Sequence, residues 1–213
     1  MLVGLIALNT QQILAELYAI PARNLLNATD TSTWQNPDDV YANGTAQIEK
    51  ALAIQPDNPE YHELHGRLVS NQCRFINKVE QWDPWLECQR KVLAAFRQGT
   101  LLNPRWPHNW ANVLITKFNL LQFDQEFFQA LTQARLLGSS EMGVNRTLAF
   151  VGLAGWQRWP DDVRTQFQQS VLDLHAASPD TAASIAKTTR HSDLYCLWTK
   201  DSPTRHYSCP RTP

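Results

Sequence analysis

Apolar residues recur at intervals of three and four along most of the chain, the spacing that places them on one face of an α-helix. Near the N-terminus this pattern runs through five apolar residues: Ile13, Leu14, Leu17, Tyr18 and Ile20. Pro21 is expected to end that helix, because proline lacks the N–H that continues the hydrogen-bond ladder. β-Branched residues rarely alternate with polar ones, and only 8 of the 213 residues are glycine. The pattern predicts an all-α protein and disfavours a sandwich, a barrel or a doubly wound sheet.

One short segment occurs twice, once ending at Pro59 and once ending at Pro107. Residues 51–59 and residues 99–107 share an apolar stretch, a polar residue, a proline, two further residues and a second proline. This order is typical of a helix that ends just before the first proline, followed by a helix that begins at the second, where the missing N–H is not needed. The sequence therefore predicts two helix–turn–helix joints.

Both joints resemble those of the tetratricopeptide repeat (TPR), a helix pair of about 34 residues in which small side chains pack against large ones. The register of that repeat assigns small or large residues to six positions: Gly44, Ile48, Ala51, Gly66, Phe96 and Gly99. The two joints are further apart than one such repeat, which indicates an insertion around residues 72–85. We expect its tryptophans to pack on a neighbouring helix, with a binding loop as the alternative. The resemblance implies a TPR-like helical-repeat array, an α-α superhelix, over residues 21–198.

The repeat signature fades after Gly138, but the helical pattern continues. Residues 142–153 are mostly apolar, and Pro160 and Pro179 each precede a further amphipathic segment. Proline followed by aspartate suits the first turn of a helix. We expect these helices to cap the array, because terminal repeats must cover the last apolar face. Residues 199–213 form a polar C-terminal tail, expected to be loose unless Cys209 is tied to Cys196.

Residues 1–20 form an N-terminal apolar helix with two interpretations. The run from Leu2 to Leu8 is interrupted at Asn9, so it is shorter than the roughly 18 residues that a membrane span needs. It carries no basic segment ahead of the apolar stretch, so a signal peptide is poorly supported. The helix is either a packing element of a soluble protein or the remnant of a membrane anchor whose upstream part is absent.

Charge and cysteine usage narrow the class of protein. The chain holds 19 Lys and Arg against 20 Asp and Glu, so it lacks the basic surface that non-specific nucleic-acid binding requires. The cysteines fall in two local pairs, Cys73 with Cys88 and Cys196 with Cys209, and this arrangement suits disulfides better than zinc. Such bridges require an oxidising compartment; four reduced thiols in the cytosol are the alternative.

The candidate catalytic and metal-binding residues each have a simpler structural explanation. His62 and His65 are three residues apart, whereas the zinc-protease motif needs four, and no third ligand is evident. Acidic residues such as Glu60 and Glu63 lie at a predicted helix start, where they complement the helix dipole. The sequence contains no phosphate-binding loop and no nucleophile motif. We therefore predict no catalytic residue, no metal, no cofactor and no enzymatic activity.

Several stretches are similar to the VpsP-like family of bacterial polysaccharide biosynthesis proteins. They are residues 21–23, 58–68, 103–107, 126–138 and 148–155. The resemblance implies a short N-terminal membrane segment, a small helical-repeat domain, and a role in making or exporting cell-surface or extracellular polysaccharide. It brings no catalytic residues. It places the protein in the bacterial cell envelope, associated with the inner membrane and facing the periplasm, with the cytoplasm as the alternative.

In a helical-repeat array the first helices line a concave surface that holds a peptide or a partner protein. The repeat register assigns two sets of residues to that surface: Glu60, Glu63, Arg67 and Asn71, and then His108, Ala111, Ile115 and Asn119. We therefore expect a scaffold that binds a protein component of a polysaccharide synthesis or export machine.

The alternative function is a helical carbohydrate-active enzyme or carbohydrate-binding protein. It rests on tryptophans near predicted helix ends: Trp106, Trp110, Trp156 and Trp159. Aromatic faces can stack on sugar rings, but tryptophan at helix joints more often serves packing.

Overall fold

The computed structural model describes residues 2–28, 36–204 and 206–209, with side chains described from Thr10 onward. Within these residues there are α-helices and one short 3₁₀ turn but no strand, so the all-α prediction is confirmed. The helices are α1 Leu2–Asn27, α2 Pro37–Ile54, α3 Pro59–Cys73, α4 Trp82–Leu102, α5 Pro107–Asn119, α6 Gln125–Gly138, α7 Met142–Ala154, α8 Asp161–Ala177, α9 Pro179–Thr188 and α10 Ser192–Trp198. The chain divides into two compact units, Met1–Pro104 and Arg105–Pro213.

The first unit contains α1 to α4, and each helix packs on the next, with α1 also contacting α3. Small residues let α1 approach its neighbours closely, because Ala15, Ala19 and Ala22 are fully buried. On the facing helices, Ile48 and Leu68 are fully buried in the same cluster. The first unit therefore has a core of small residues on one helix against large ones on the others.

The first proline joint has the predicted geometry. Pro59 is the first residue of α3, and the Asn58 side chain accepts hydrogen bonds from the backbone N–H groups of Glu60 (3.0 Å) and Tyr61 (3.4 Å). This cap satisfies donors that the helix itself leaves without partners. Pro107 likewise opens α5. Both joints expected from the repeated segment are present.

The expected end of the first helix at Pro21 is wrong. Helix α1 continues through Pro21 to Asn27. The proline ring lies on the exposed side, while the next residue, Ala22, is buried and Arg23 forms ion pairs with Glu16 and with Glu60 of α3. Tertiary contacts of the following turn thus outweigh the one backbone hydrogen bond that proline removes. The domain boundary expected at residue 21 falls inside this helix.

The second unit is built on an aromatic cluster around Trp159. This tryptophan is 3% exposed, and its indole Nε1 donates to the backbone oxygen of Gly152 at 3.1 Å. The rings of Phe123, Phe127 and Phe167 have centroids between 5.2 and 5.5 Å from its ring. Aromatic packing of this kind joins α6, α7 and α8 across the short turn that precedes α8.

Both cysteine pairs form disulfides, Cys73 with Cys88 and Cys196 with Cys209. The first bridge joins the end of α3 to α4 and closes the base of the predicted insertion. There, Trp85 is 8% exposed and stacks on Trp82, which is 48% exposed. The second bridge ties the C-terminal segment back to α10. The sequence predicts that this segment is loose unless these two cysteines are bonded.

The tied C-terminal segment covers a buried histidine of α8. The two ring nitrogens of His175 lie 2.9 Å from the Tyr195 hydroxyl and 2.9 Å from the Ser202 hydroxyl. A second histidine, His206, is 8% exposed and its Nε2 lies 2.9 Å from a carboxylate oxygen of Asp180. The segment is thus fixed by polar contacts as well as by the disulfide.

Candidate functional site

The residues predicted on α3 share one face of that helix, since their spacing of three or four residues per step follows the helical turn. Glu60 and Arg67 expose 51% and 40% of their side chains, whereas Glu63 exposes 13%. An Arg67 guanidinium nitrogen lies 3.8 Å from a Glu63 carboxylate oxygen. Asn71 is half-buried and its Nδ2 donates to the backbone oxygen of Arg67 at 3.1 Å. The α3 face therefore carries both signs of charge, with Arg67 the most accessible cation.

The N-terminal end of the α3 face is bound to α1. Arg23 binds Glu16 with two guanidinium nitrogens, at 2.8 and 3.0 Å, and also contacts Glu60. The Tyr61 hydroxyl donates to Glu16 at 2.9 Å. Hydrogen bonds to Glu60 and then to Glu16 raise the pKa of Arg23. The hydrogen bond that Arg23 donates to Glu16 holds the pKa of Glu16 below its usual value, although burial has the opposite effect. This network fixes Glu60 in place.

The sequence reasoning did not identify Arg23 and Glu16 as part of this region. One signal could have done so: they are the two charged residues in the 26-residue sequence of α1. Charged residues in such an apolar helix are expected to face a partner of opposite charge. The two residues pair with each other, and Arg23 also pairs with Glu60, which is 37 residues further along the chain.

An open cavity of about 500 Å³ lies beside the first proline joint. It is lined by Gln12 of α1 and by residues 54–59 of the joint. Its polar lining comes from amide side chains and Asp57, so it offers hydrogen-bonding groups next to the N-terminal end of α3. The cavity extends the accessible polar surface of the first unit beyond the α3 face.

The residues predicted on α5 differ widely in accessibility. Asn119 is exposed, and His108 and Ile115 are half-buried, but Ala111 is only 2% exposed. Ala111 therefore packs inside the second unit, because α5 lies against both α6 and α7. The His108 ring is 5.1 Å from that of Trp106 between centroids, and Trp106 is 43% exposed. The accessible part of the α5 face is thus formed by His108, Ile115 and Asn119.

The two histidines of α3 have different partners. His62 Nε2 lies 2.7 Å from the backbone oxygen of Pro56, and His65 Nε2 lies 3.5 Å from a carboxylate oxygen of Glu49. Burial lowers the pKa of His65, although Glu49 opposes this effect. Among the residues whose positions are described, no three His, Cys, Asp or Glu side chains form a group that could hold a metal ion.

The four tryptophans considered for sugar binding do not have equal exposure. Trp159 is buried in the aromatic cluster, and Trp156 packs on Trp198 with ring centroids 5.0 Å apart. Trp110 is half-buried, and Trp106 is 43% exposed. Packing therefore accounts for Trp156 and Trp159.

No protein-family model matches the chain, and no curated protein sequence is significantly similar to it. Within the described helices, none combines the length and hydropathy that crossing a membrane requires.

Proposed function

We propose that this protein is a non-enzymatic, TPR-like scaffold that binds a protein component of a polysaccharide synthesis or export machine. The observation that supports it best is the α3 face, where Arg67, Glu63 and the fixed Glu60 present both signs of charge on one rigid helix. A rigid helical surface of mixed charge selects a partner with complementary charges and loses little entropy on binding. The link to polysaccharide comes from the resemblance of the sequence to the VpsP-like family.

The proposed location is the bacterial cell envelope, on the periplasmic side of the inner membrane. Its support is the pair of disulfides, because structural disulfides form and persist in oxidising compartments and are rare in the cytosol. Association with the membrane is proposed to involve the apolar run from Leu2 to Leu8 at the start of α1. Flotation of the purified protein with phospholipid vesicles tests this association, and a protein that stays at the bottom of the gradient contradicts it.

Charge reversal at Arg67 tests the scaffold function. Arg67→Glu replaces the accessible cation of the α3 face. The immobilised variant should therefore capture at least tenfold less of the proteins that the immobilised wild type captures from detergent-solubilised envelopes. A tenfold loss corresponds to about 1.4 kcal/mol of binding free energy. Lys91→Glu is the matched control, because Lys91 is exposed on α4 of the same unit. Equal capture by Arg67→Glu and wild type contradicts the proposed face.

Carbohydrate binding is the second candidate function, and the exposed indole of Trp106 is the observation that favours it. Polysaccharide stacked on that ring should quench tryptophan fluorescence, and Trp106→Leu should abolish the quenching. Quenching that persists in Trp106→Leu, or none in the wild type, contradicts this candidate.

A further inference from the structure

The outward face of α1 is apolar over about two helical turns, from Ile13 to Ile20. Four large apolar side chains there are 44–62% exposed: Ile13, Leu14, Leu17 and Ile20. The opposite side of the same turns carries Ala15 and Ala19, which are fully buried against the first unit. The exposed side chains, called here the α1 stripe, therefore belong to a face that the described residues of this unit do not cover.

The spacing of the α1 stripe matches that of a helix designed to pair with another helix. Ile13, Leu17 and Ile20 are four and three residues apart, which is the alternation of core positions in a coiled coil. Leu14 lies next to these residues and widens the apolar face beyond the narrow seam of a coiled coil.

The charge distribution on α1 favours a second copy of the same surface. Glu16 and Arg23 are the charged residues of the α1 sequence, and both are engaged with each other and with α3. Glu16 keeps 47% of its side chain exposed beside the stripe. The stripe itself carries no charge, so two copies can pair their apolar side chains without burying an ionised group. The other helices of the unit differ, since α2 and α4 carry exposed charged residues such as Glu49 and Arg90.

We propose that the α1 stripe pairs with the α1 stripe of a second copy of this chain, related to the first by a two-fold axis. Such an interface uses the same patch on both copies, so apolar surface on one side meets equal apolar surface on the other. The four side chains expose a few hundred Å², while stable complexes bury about 800 Å² per partner. The small area indicates a weak dimer that dissociates on dilution, and its formation does not depend on the partner bound at α3.

Sedimentation velocity over a micromolar concentration series tests the pairing on the full chain. The wild type should shift from monomer to dimer, and Leu17→Glu should weaken the association at least tenfold, because two carboxylates would then face each other across the axis. Glutamate keeps the helical propensity of leucine, so circular dichroism should show the same helix content. Leu101→Glu is the matched control, as Leu101 is 75% exposed on α4, and it should dimerise like the wild type.

A cysteine at the centre of the stripe gives a second readout. The native cysteines are all paired, so Leu17→Cys adds one thiol that should oxidise to a covalent dimer, whereas Leu101→Cys should remain monomeric under the same conditions. A wild type that is monomeric at every concentration overturns the proposal, as does a dimer that Leu17→Glu leaves intact. Loss of vesicle binding by Leu17→Glu, with a monomeric wild type, would assign the stripe to lipid and also overturn it.

Discussion

The ring of Phe96 in α4 lies directly over the Cα of Gly66 in α3, so that a Cβ added at Gly66 would lie 2.6 Å from Phe96 Cε1. Both residues are buried. The absence of a side chain at position 66 is therefore what allows the two helices to approach, and the Phe96 ring fills the space that a side chain would take. The register of the repeat assigns a small residue to position 66 and a large one to position 96, but it does not pair the two, and the structure supplies that contact.

Gly66→Ala should destabilise the protein. Overpacking against Phe96 costs about 1–3 kcal/mol, which exceeds the roughly 1 kcal/mol that alanine contributes to a helix relative to glycine. The free energy of unfolding in urea measures the change. Phe96→Leu in the same chain should recover part of the loss, because leucine leaves room for the added methyl group.

Gly143→Ala provides the control for this experiment. A Cβ there would meet only the partly exposed His108 ring, at 3.3 Å, so the substitution should leave the unfolding free energy unchanged or raise it. If Gly66→Ala is as stable as Gly143→Ala, the close approach of α3 and α4 is not as described.

The sequence alone predicts the local features of this fold. The proline joints and the small residue at position 66 each follow from neighbouring residues, because helix ends and small packing positions have local signals. The continuation of α1 through Pro21 has no such signal, since it depends on Glu60. In the candidate site, the burial of Ala111 is likewise fixed by how α6 and α7 pack on α5, which residue spacing does not contain.

The disulfide between Cys73 and Cys88 should contribute measurably to stability. It closes a loop with a sequence separation of 15 residues, and a loop of that length corresponds to about 3 kcal/mol of unfolded-state entropy. Replacement of both cysteines by serine should lower the unfolding free energy by an amount of that order. Thiol titration of the native wild type should find no free thiol, and reactive thiols before reduction would contradict the assignment.

His175 should make the second unit sensitive to mild acid. Burial, and then the nearby His206, lower the pKa of His175 in the folded protein, whereas an unfolded histidine has a pKa near 6.5. Unfolding therefore takes up a proton as the pH falls below about 6.5, so the stability contributed by neutral His175 is present above that pH and is lost below it. His175→Gln should flatten the dependence of the unfolding free energy on pH between about 7 and 5. An identical slope in variant and wild type would contradict this role.

The ammonium group of Lys117 should stabilise the fold of the second unit. It is fully buried, and its Nζ lies 2.8 Å from a carboxylate oxygen of Asp124 and 2.6 Å from one of Glu126. Lys117→Met removes the positive charge between two carboxylates and should lower the free energy of unfolding by roughly 1–3 kcal/mol. The loss should be smaller than for a fully buried ion pair, because the Asp124 side chain is largely exposed. The double variant Lys117→Met with Glu126→Gln should be more stable than Lys117→Met alone. If it is not, repulsion between the carboxylates does not account for the loss.

The central claim, that the α3 face binds a partner protein, is tested most directly by a photoreactive amino acid placed at position 67. Position 91 on α4 serves as the control, and both proteins are irradiated with solubilised envelope membranes. We predict covalent adducts at position 67 that excess wild-type protein suppresses and excess Arg67→Glu protein does not. Labelling at position 67 that is no stronger than at position 91, or that Arg67→Glu suppresses as well as wild type, would contradict the claim.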